Sequence, residues 1–237
     1  MPLGIARMKI LLIDTCGTTG SVALADTAII TAATLPGRTA SERLVPAIRD
    51  LVARAGLSPQ SLEAVVVVHG PGSFTGVRVG VSAAKGLCHA LSLPLVAISR
   101  LAVLAHLAQP PAGGCINALL DAGRGEFYSG VYLDGVCLRE SLLTCDQLLA
   151  APSKQPAHVV VCEPAVAESL ASLSPRLLAE PTAVDALPLA LLRIRQSDFD
   201  SPATLDANYL RRTDAEIFAK PRPASAANVA VPETPVR

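Results

Sequence analysis

The stretch over residues 65–94 restricts this chain more than any other: VVVV, then HGPGSFTG, then VRVGVSAAKGLCHALSLP. Four consecutive valines predict a strand buried on both faces, as in a sheet covered by helices. The run stops at a turn in which Gly70, Pro71, Gly72 and Gly76 supply backbone angles that other residues resist. A helix is expected over 76–91, with Ser73 or Thr75 capping its free N–H groups. Val77, Gly80, Val81, Ala84, Leu87, Cys88 and Leu91 form an apolar stripe on it, and Arg78, Ser82, Lys85 and His89 a polar one. Its two internal glycines cost about 1 kcal/mol each relative to alanine, which points to another backbone packed close by. A glycine-rich loop before a helix is also a phosphate cradle, because the helix N-terminus presents N–H groups and positive potential. The spacing fits neither GxxxxGK[ST] nor GxGxxG, and both readings, packing and phosphate, stay open.

Elsewhere strands and helices follow one another in a repeated order. Strands are expected at 9–14, 21–25 and 28–34, then a helix over 39–56 in which Thr39 and Glu42 form a capping box and Pro46 bends the early turns. The strand at 65–68 and helix 76–91 lead to a further strand at 95–98 and a helix at 100–108. A second, shorter round follows: strands at 115–120, 127–133 and 136–140, a helix at 145–150, a strand at 159–162 and a helix at 164–173. An amphipathic helix at 184–195 comes after it. From residue 220 the Pro-, Ala- and Ser-rich composition predicts a disordered tail. The expected division is therefore a first lobe over 8–108, a smaller second lobe over 109–219 and a tail over 220–237. Met8 competes with Met1 as the start.

Composition removes several functions. Lys and Arg number 20 against 20 Asp and Glu, so the charge surplus of a protein that grips RNA phosphates is missing. Aromatics are 3% of residues with no Trp, which argues against base stacking. The six cysteines are scattered without a CxxC pair, so neither a zinc site nor a disulfide framework is expected. No apolar stretch approaches the roughly 20 residues of a membrane span, and a cytoplasmic protein is expected.

Two groups of residues invite chemistry. Asp14, Thr15, Thr18 and Thr19 sit at the tip of the first hairpin, which resembles the first phosphate loop of the actin–Hsp70–sugar-kinase fold, although Asp, Thr and Gly are also ordinary turn residues. Asp121, Arg124 and Glu126 crowd a second hairpin, where Asp121 is a candidate to face a metal-bound phosphate or a partner loop and Arg124 an anion, or the two simply pair. The four histidines lack the i, i+4 spacing of a metal pair, and no GxSxG elbow is present.

HGPGSFTGVRVGVSAAKGL resembles the signature of the TsaB (YeaZ) family, bacterial proteins needed for threonylcarbamoyladenosine in tRNA. ILLIDTCGTTGSVAL at 10–24, SERLVPAI at 41–48, LDAGRGEFYSGVY at 120–132 and, more weakly, ANYLRR at 207–212 extend the resemblance. It implies an α/β chain of the actin-like ATPase (ASKHA, ribonuclease H-like) fold, with two related lobes of mixed sheets flanked by helices. It also implies a non-catalytic subunit that supports a TsaD-like catalytic subunit alongside a TsaE-like P-loop ATPase, reaching tRNA only through that complex. The catalytic relative, TsaD, carries an HxxxH motif, where this chain has TASERLVP. The expected partner surface lies on the helices at 39–55 and 76–91, with Glu42, Arg78, Ser82, Ala83 and Lys85 as candidates, and serves a homodimer in isolation. No cofactor of its own and no metal is expected, with ATP or ADP admitted only at an interface shared with the complex. The rival reading is a stand-alone ASKHA-type small-molecule kinase or ATPase using the loops at 14–19 and 121–126.

Overall fold

The computed structural model describes residues 8–36, 39–109, 113–150 and 158–210. Strand β1 (Ile10–Asp14) turns back into β2 (Gly20–Ala25), and β2 into β3 (Ile29–Leu35). Helix α1 (Ala40–Arg54) carries the chain to β4 (Ala64–Val68), parallel to β1. Helix α2 (Phe74–Leu91) then leads to β5 (Leu95–Ile98), parallel to β4. The order across this sheet is β3-β2-β1-β4-β5. Every residue of β1, β2, β4 and β5 is buried, the outcome expected of runs such as AVVVV that have no polar alternation. Strand β3, at the sheet edge, alternates instead along most of its length.

The second half repeats the plan. Strands β6 (Cys115–Gly123), β7 (Glu126–Leu133) and β8 (Val136–Thr144) form an antiparallel meander. Helix α4 (Cys145–Ala150) comes before β9 (His158–Val161), which is parallel to β6. Helix α5 (Pro164–Ser169) comes before β10 (Arg176–Leu177), parallel to β9. The order β10-β9-β6-β7-β8 is the first sheet's order read from the other end. In both sheets the first strand of the unit lies between the second and the fourth. This is the duplicated unit of the actin-like ATPase fold.

The last helix of each unit crosses to the other. After β5, α3 (Arg100–Leu107) buries Leu101 and Leu104 against Ile116, Leu120 and Tyr132 of the second sheet. After β10, α6 (Leu187–Arg195) sends Ala190, Leu191 and Ile194 into the first core. A division at 108/109 thus follows the chain but cuts across both cores.

Several local expectations change. Thr39 makes no cap bond to α1; its hydroxyl donates to Pro36 O at 2.7 Å, so the capping box is not formed. Pro46 stands inside α1 without ending it. The expected helix over 184–195 is a 3-10 turn, Ala183–Ala186, boxed by Thr182 and Asp185, followed by α6. The expected helix over 164–173 stops at Ser169 and continues as a 3-10 turn. Strand β10 has two residues, too few to show any period. The tail over 220–237 lies outside the described residues.

Candidate functional site

The first loop of each unit and the turns after β4 and β9 surround a cleft of about 550 Å³. From the first unit come the β1–β2 loop, Thr15 to Thr18, and the start of α2, Gly72 to Gly76; from the second come Asp121 and Glu163. Arg100, the first residue of α3, Glu180, and Ala40 and Ser41 at the start of α1 also line it.

The β1–β2 loop lies directly on the start of α2. A Cβ on Gly76 would stand 2.0 Å from Thr15 O, and one on Gly72 2.4 Å from Cys16 O. The Thr15 hydroxyl donates to Gly76 O at 2.6 Å, and Ser73 N donates to Cys16 O at 2.8 Å. Ser73 Oγ caps α2 by accepting from Gly76 N at 3.3 Å. Of the two readings the glycines allowed, close packing is therefore the one their surroundings serve. The N–H groups of Ser73 and Gly76 are already committed.

Charge inside the cleft is arranged around Arg100, which is 3% exposed. Its Nη2 donates to Glu180 Oε1 at 2.8 Å and its Nη1 to Cys16 O at 3.3 Å. Glu180 also accepts from Thr18 N at 2.8 Å and from the Thr18 hydroxyl at 2.6 Å. Burial pushes the Glu180 carboxyl up, but the two Thr18 bonds and Arg100 outweigh it and hold the group below its ordinary range. Glu163, whose Oε2 accepts from Asp121 N at 3.0 Å, is shifted the other way, raised chiefly by burial. Asp14 is buried and does not line the cleft; its Oδ1 accepts from Cys16 N at 2.8 Å, and burial raises it.

The arrangement supplies little chemistry. The Cys16 thiol donates to Val68 O at 3.1 Å, and burial raises it well above the range in which a thiolate forms. His69 Nδ1 lies 3.3 Å from Asp206 O, and burial lowers its affinity for a proton. Among the described residues no group of His, Cys, Asp or Glu is placed to hold a metal ion. The fold implies an adenine nucleotide between the lobes, and these residues do not fit one. The N–H and hydroxyl of Thr18 go to Glu180, Ser73 N goes to Cys16 O, and three carboxyl groups face one arginine that is already paired.

The residues expected from sequence are scattered in role. Thr15 and Thr18 line the cleft, while Thr19 is exposed and outside its lining. Asp121 lines it too, but its Oδ1 closes its own hairpin by accepting from Gly123 N at 2.7 Å. Arg124 sits at the tip of that hairpin with φ 59. On α2, the Arg78 Nε donates to Tyr209 OH at 2.6 Å, and its guanidinium stacks 3.8 Å from the Phe74 ring centroid. Lys85 Nζ donates to Leu205 O at 2.8 Å. The stretch over 205–209 thus takes up both cations of the polar stripe. Ser82 and Glu42 are exposed, and Ala83 is half-buried against the core. Arg100, Glu163 and Glu180 were not anticipated. Arg100 had one visible signal, a charge opening the apolar run RLAVLAHLA; the two glutamates had none.

Comparison with known proteins places this architecture. A family model described as TsaD, tRNA N6-adenosine threonylcarbamoyltransferase, matches residues 34–158. The chain is 41% identical over 127 residues to the tRNA threonylcarbamoyladenosine biosynthesis protein TsaB of Bacillus subtilis and 36% identical over the same length to that of Escherichia coli. In both cases the match takes in 53% of this chain and 55% of the relative, so it spans about half the length of these curated proteins. It is 32% identical over 187 residues to an uncharacterized Mycobacterium tuberculosis protein, covering 78% of this chain and 82% of that one. Among solved structures, YeaZ from Pseudomonas aeruginosa superimposes with a TM-score of 0.69 at 26% identity, over 83% of this chain and 97% of that one. With a family model matched across more than half of its 237 residues and YeaZ as its structural counterpart, the chain belongs to the TsaD-related family, within its TsaB (YeaZ) group.

Proposed function

We propose that this chain is a non-catalytic, cytoplasmic subunit in the biosynthesis of threonylcarbamoyladenosine in tRNA. It holds a TsaD-like catalytic subunit through the outer faces of α1 and α2, next to a TsaE-like ATPase, and meets tRNA only through that assembly. The observation that carries this reading is the division of small residues on α2. Gly76 and Gly80 are turned inward, where an added Cβ collides with Thr15. Gly86 is turned outward, and a Cβ there meets nothing within 4 Å. Exposed Ser82 shares that helix, and on neighbouring α1 Val45 is 66% exposed. A low, partly apolar face with no internal duty suits close approach by another helix. Among the described residues no helix is long and apolar enough to cross a membrane, which agrees with a cytoplasmic site. Any nucleotide in the assembly is assigned to the interface with the partner.

The test is Gly86→Arg. The position has helical backbone and open space, so the variant folds and melts like the wild type, yet it places a long charged side chain in the contact. Co-elution with the TsaD-like protein should be lost, and reconstituted tRNA modification should fall to the level without this chain. A folded Gly86→Arg variant that co-elutes and supports modification normally would remove α2 from the interface.

A further inference from the structure

The wall of the cleft at Gly17–Thr18 is built around an anion, and the anion is the chain's own Glu180. One carboxylate receives three donors: Thr18 N and Arg100 Nη2 on Oε1, and the Thr18 hydroxyl on Oε2. Gly17 makes the room, because a Cβ there would lie 2.2 Å from Glu180 Oε1 and 2.6 Å from Arg100 Nη2. Arg100 is buried, and its buried Nε has no hydrogen-bond partner, so the guanidinium spends only its two Nη groups on oxygen acceptors at this wall. Glu180 reaches this place from the second unit: Leu178 N, two residues earlier, donates to Val161 O at the end of β9 at 2.8 Å. Its partners belong to the first hairpin and to α3.

A backbone N–H, a hydroxyl and a guanidinium beside a glycine suit a phosphoryl group as well as a carboxylate, since each offers oxygens to the same donors. We propose that the Gly17–Thr18 loop and Arg100 form an oxyanion site of phosphate type, which Glu180 occupies from within, so that the cleft refuses a phosphate group until that carboxylate is withdrawn. The inference goes beyond the subunit role and does not depend on it. The disagreement between fold and nucleotide then has a single local cause, a side chain seated where a ligand oxygen would go. A clamp that served only to tie the two units together would leave no affinity behind when Glu180 is cut away.

The probe is inorganic pyrophosphate, titrated calorimetrically into the whole chain at low ionic strength. Glu180→Ala should bind it at least about tenfold more tightly than the wild type, and adding Thr18→Ala should return part of that gain. Glu180→Gln keeps the bulk and surrenders the charge, so pyrophosphate should displace it at concentrations that leave the wild type unchanged. In the wild type itself the Thr18 amide resonance should stay in place during the titration. The proposal fails if folded Glu180→Ala, or folded Glu180→Gln where the alanine variant does not fold, binds no better than the wild type. It fails equally if the wild-type Thr18 amide shifts as readily as that of the variants.

Discussion

After β4 the chain turns through Gly70, Pro71 and Gly72 into the 18 residues of α2; at the matching place after β9 it turns through Cys162 and Glu163 into the six residues of α5. Both turns face the first loop of their own unit, and they meet it by different means. In the first unit the backbones touch, with Ser73 N on Cys16 O and glycines wherever a Cβ would intrude. In the second unit a side chain spans the gap, Glu163 Oε2 accepting from Asp121 N. Backbone contact fixes a rigid edge and tolerates no added atom, whereas a carboxylate bridge is replaceable. The first unit is accordingly built as the platform under α2, and the second as the adjustable wall opposite.

The sharpest break in this comparison is Gly76→Ala. Its Cβ would stand 2.0 Å from a backbone oxygen, so either β1's loop or α2 must move. Overpacking costs about 1–3 kcal/mol and more where backbone must give way, so the variant should be insoluble or melt well below the wild type. Wild-type thermal stability for Gly76→Ala would show that the loop is not locked to α2. Next is Arg100→Met, which leaves Glu180 without its ion-pair partner and removes the positive charge that offsets the burial of Asp14; losing one partner of a buried pair costs about 3 kcal/mol, measurable by urea unfolding. Because the Glu180 side chain is 32% exposed, part of that loss comes from Asp14, and Arg100→Met/Asp14→Asn should recover some of it. Smaller again is Glu163→Ala, which removes one acceptor at a partly solvated bridge and should cost about 1 kcal/mol. If it destabilised as much as Gly76→Ala, the second wall would be no more adjustable than the first.

The same contrast explains what could be read from the sequence. The first unit was legible because its constraints are local: buried strands show as ILLID and AVVVV, and close backbone approach shows as glycine. The order of strands in the second unit was legible for the same reason. The two-residue β10 was not, since it is shorter than the period that reveals a strand, and for α5 only the start at Pro164 was legible, because nothing in the sequence marks its end at Ser169. Asp121 was singled out, but Arg100, Glu163 and Glu180 escaped because the charged contacts are assembled over long separations. Arg100 meets Glu180 across 80 residues and Thr18 meets Glu180 across 162, and no window of sequence contains either pair. Arg78 and Lys85 gave a clear polar stripe, but what covers it, Leu205 and Tyr209, lies over a hundred residues away.

The finest test uses the two glutamates on the adjustable wall, which respond to pH in opposite senses. Glu180 is held below the ordinary glutamate value of 4.5, so its contribution to stability is present above that value and is lost as pH falls through the depressed one. Glu163 is held above 4.5, so its contribution is present below that value and is lost as pH rises through the raised one. Replacing each by Gln removes the titration while leaving an acceptor oxygen in place. Melting temperatures of the wild type and both variants, taken from about pH 2.5 to neutrality so that the range takes in the depressed Glu180 titration, should therefore diverge. As pH rises, the wild type should gain on Glu180→Gln and lose ground to Glu163→Gln. Acid effects common to the whole protein cancel in these differences, because the variants share every other carboxylate. Parallel slopes for the two variants would mean that Thr18 and Arg100 do not outweigh the burial of Glu180, and the anion-centred account of the cleft would fall with them.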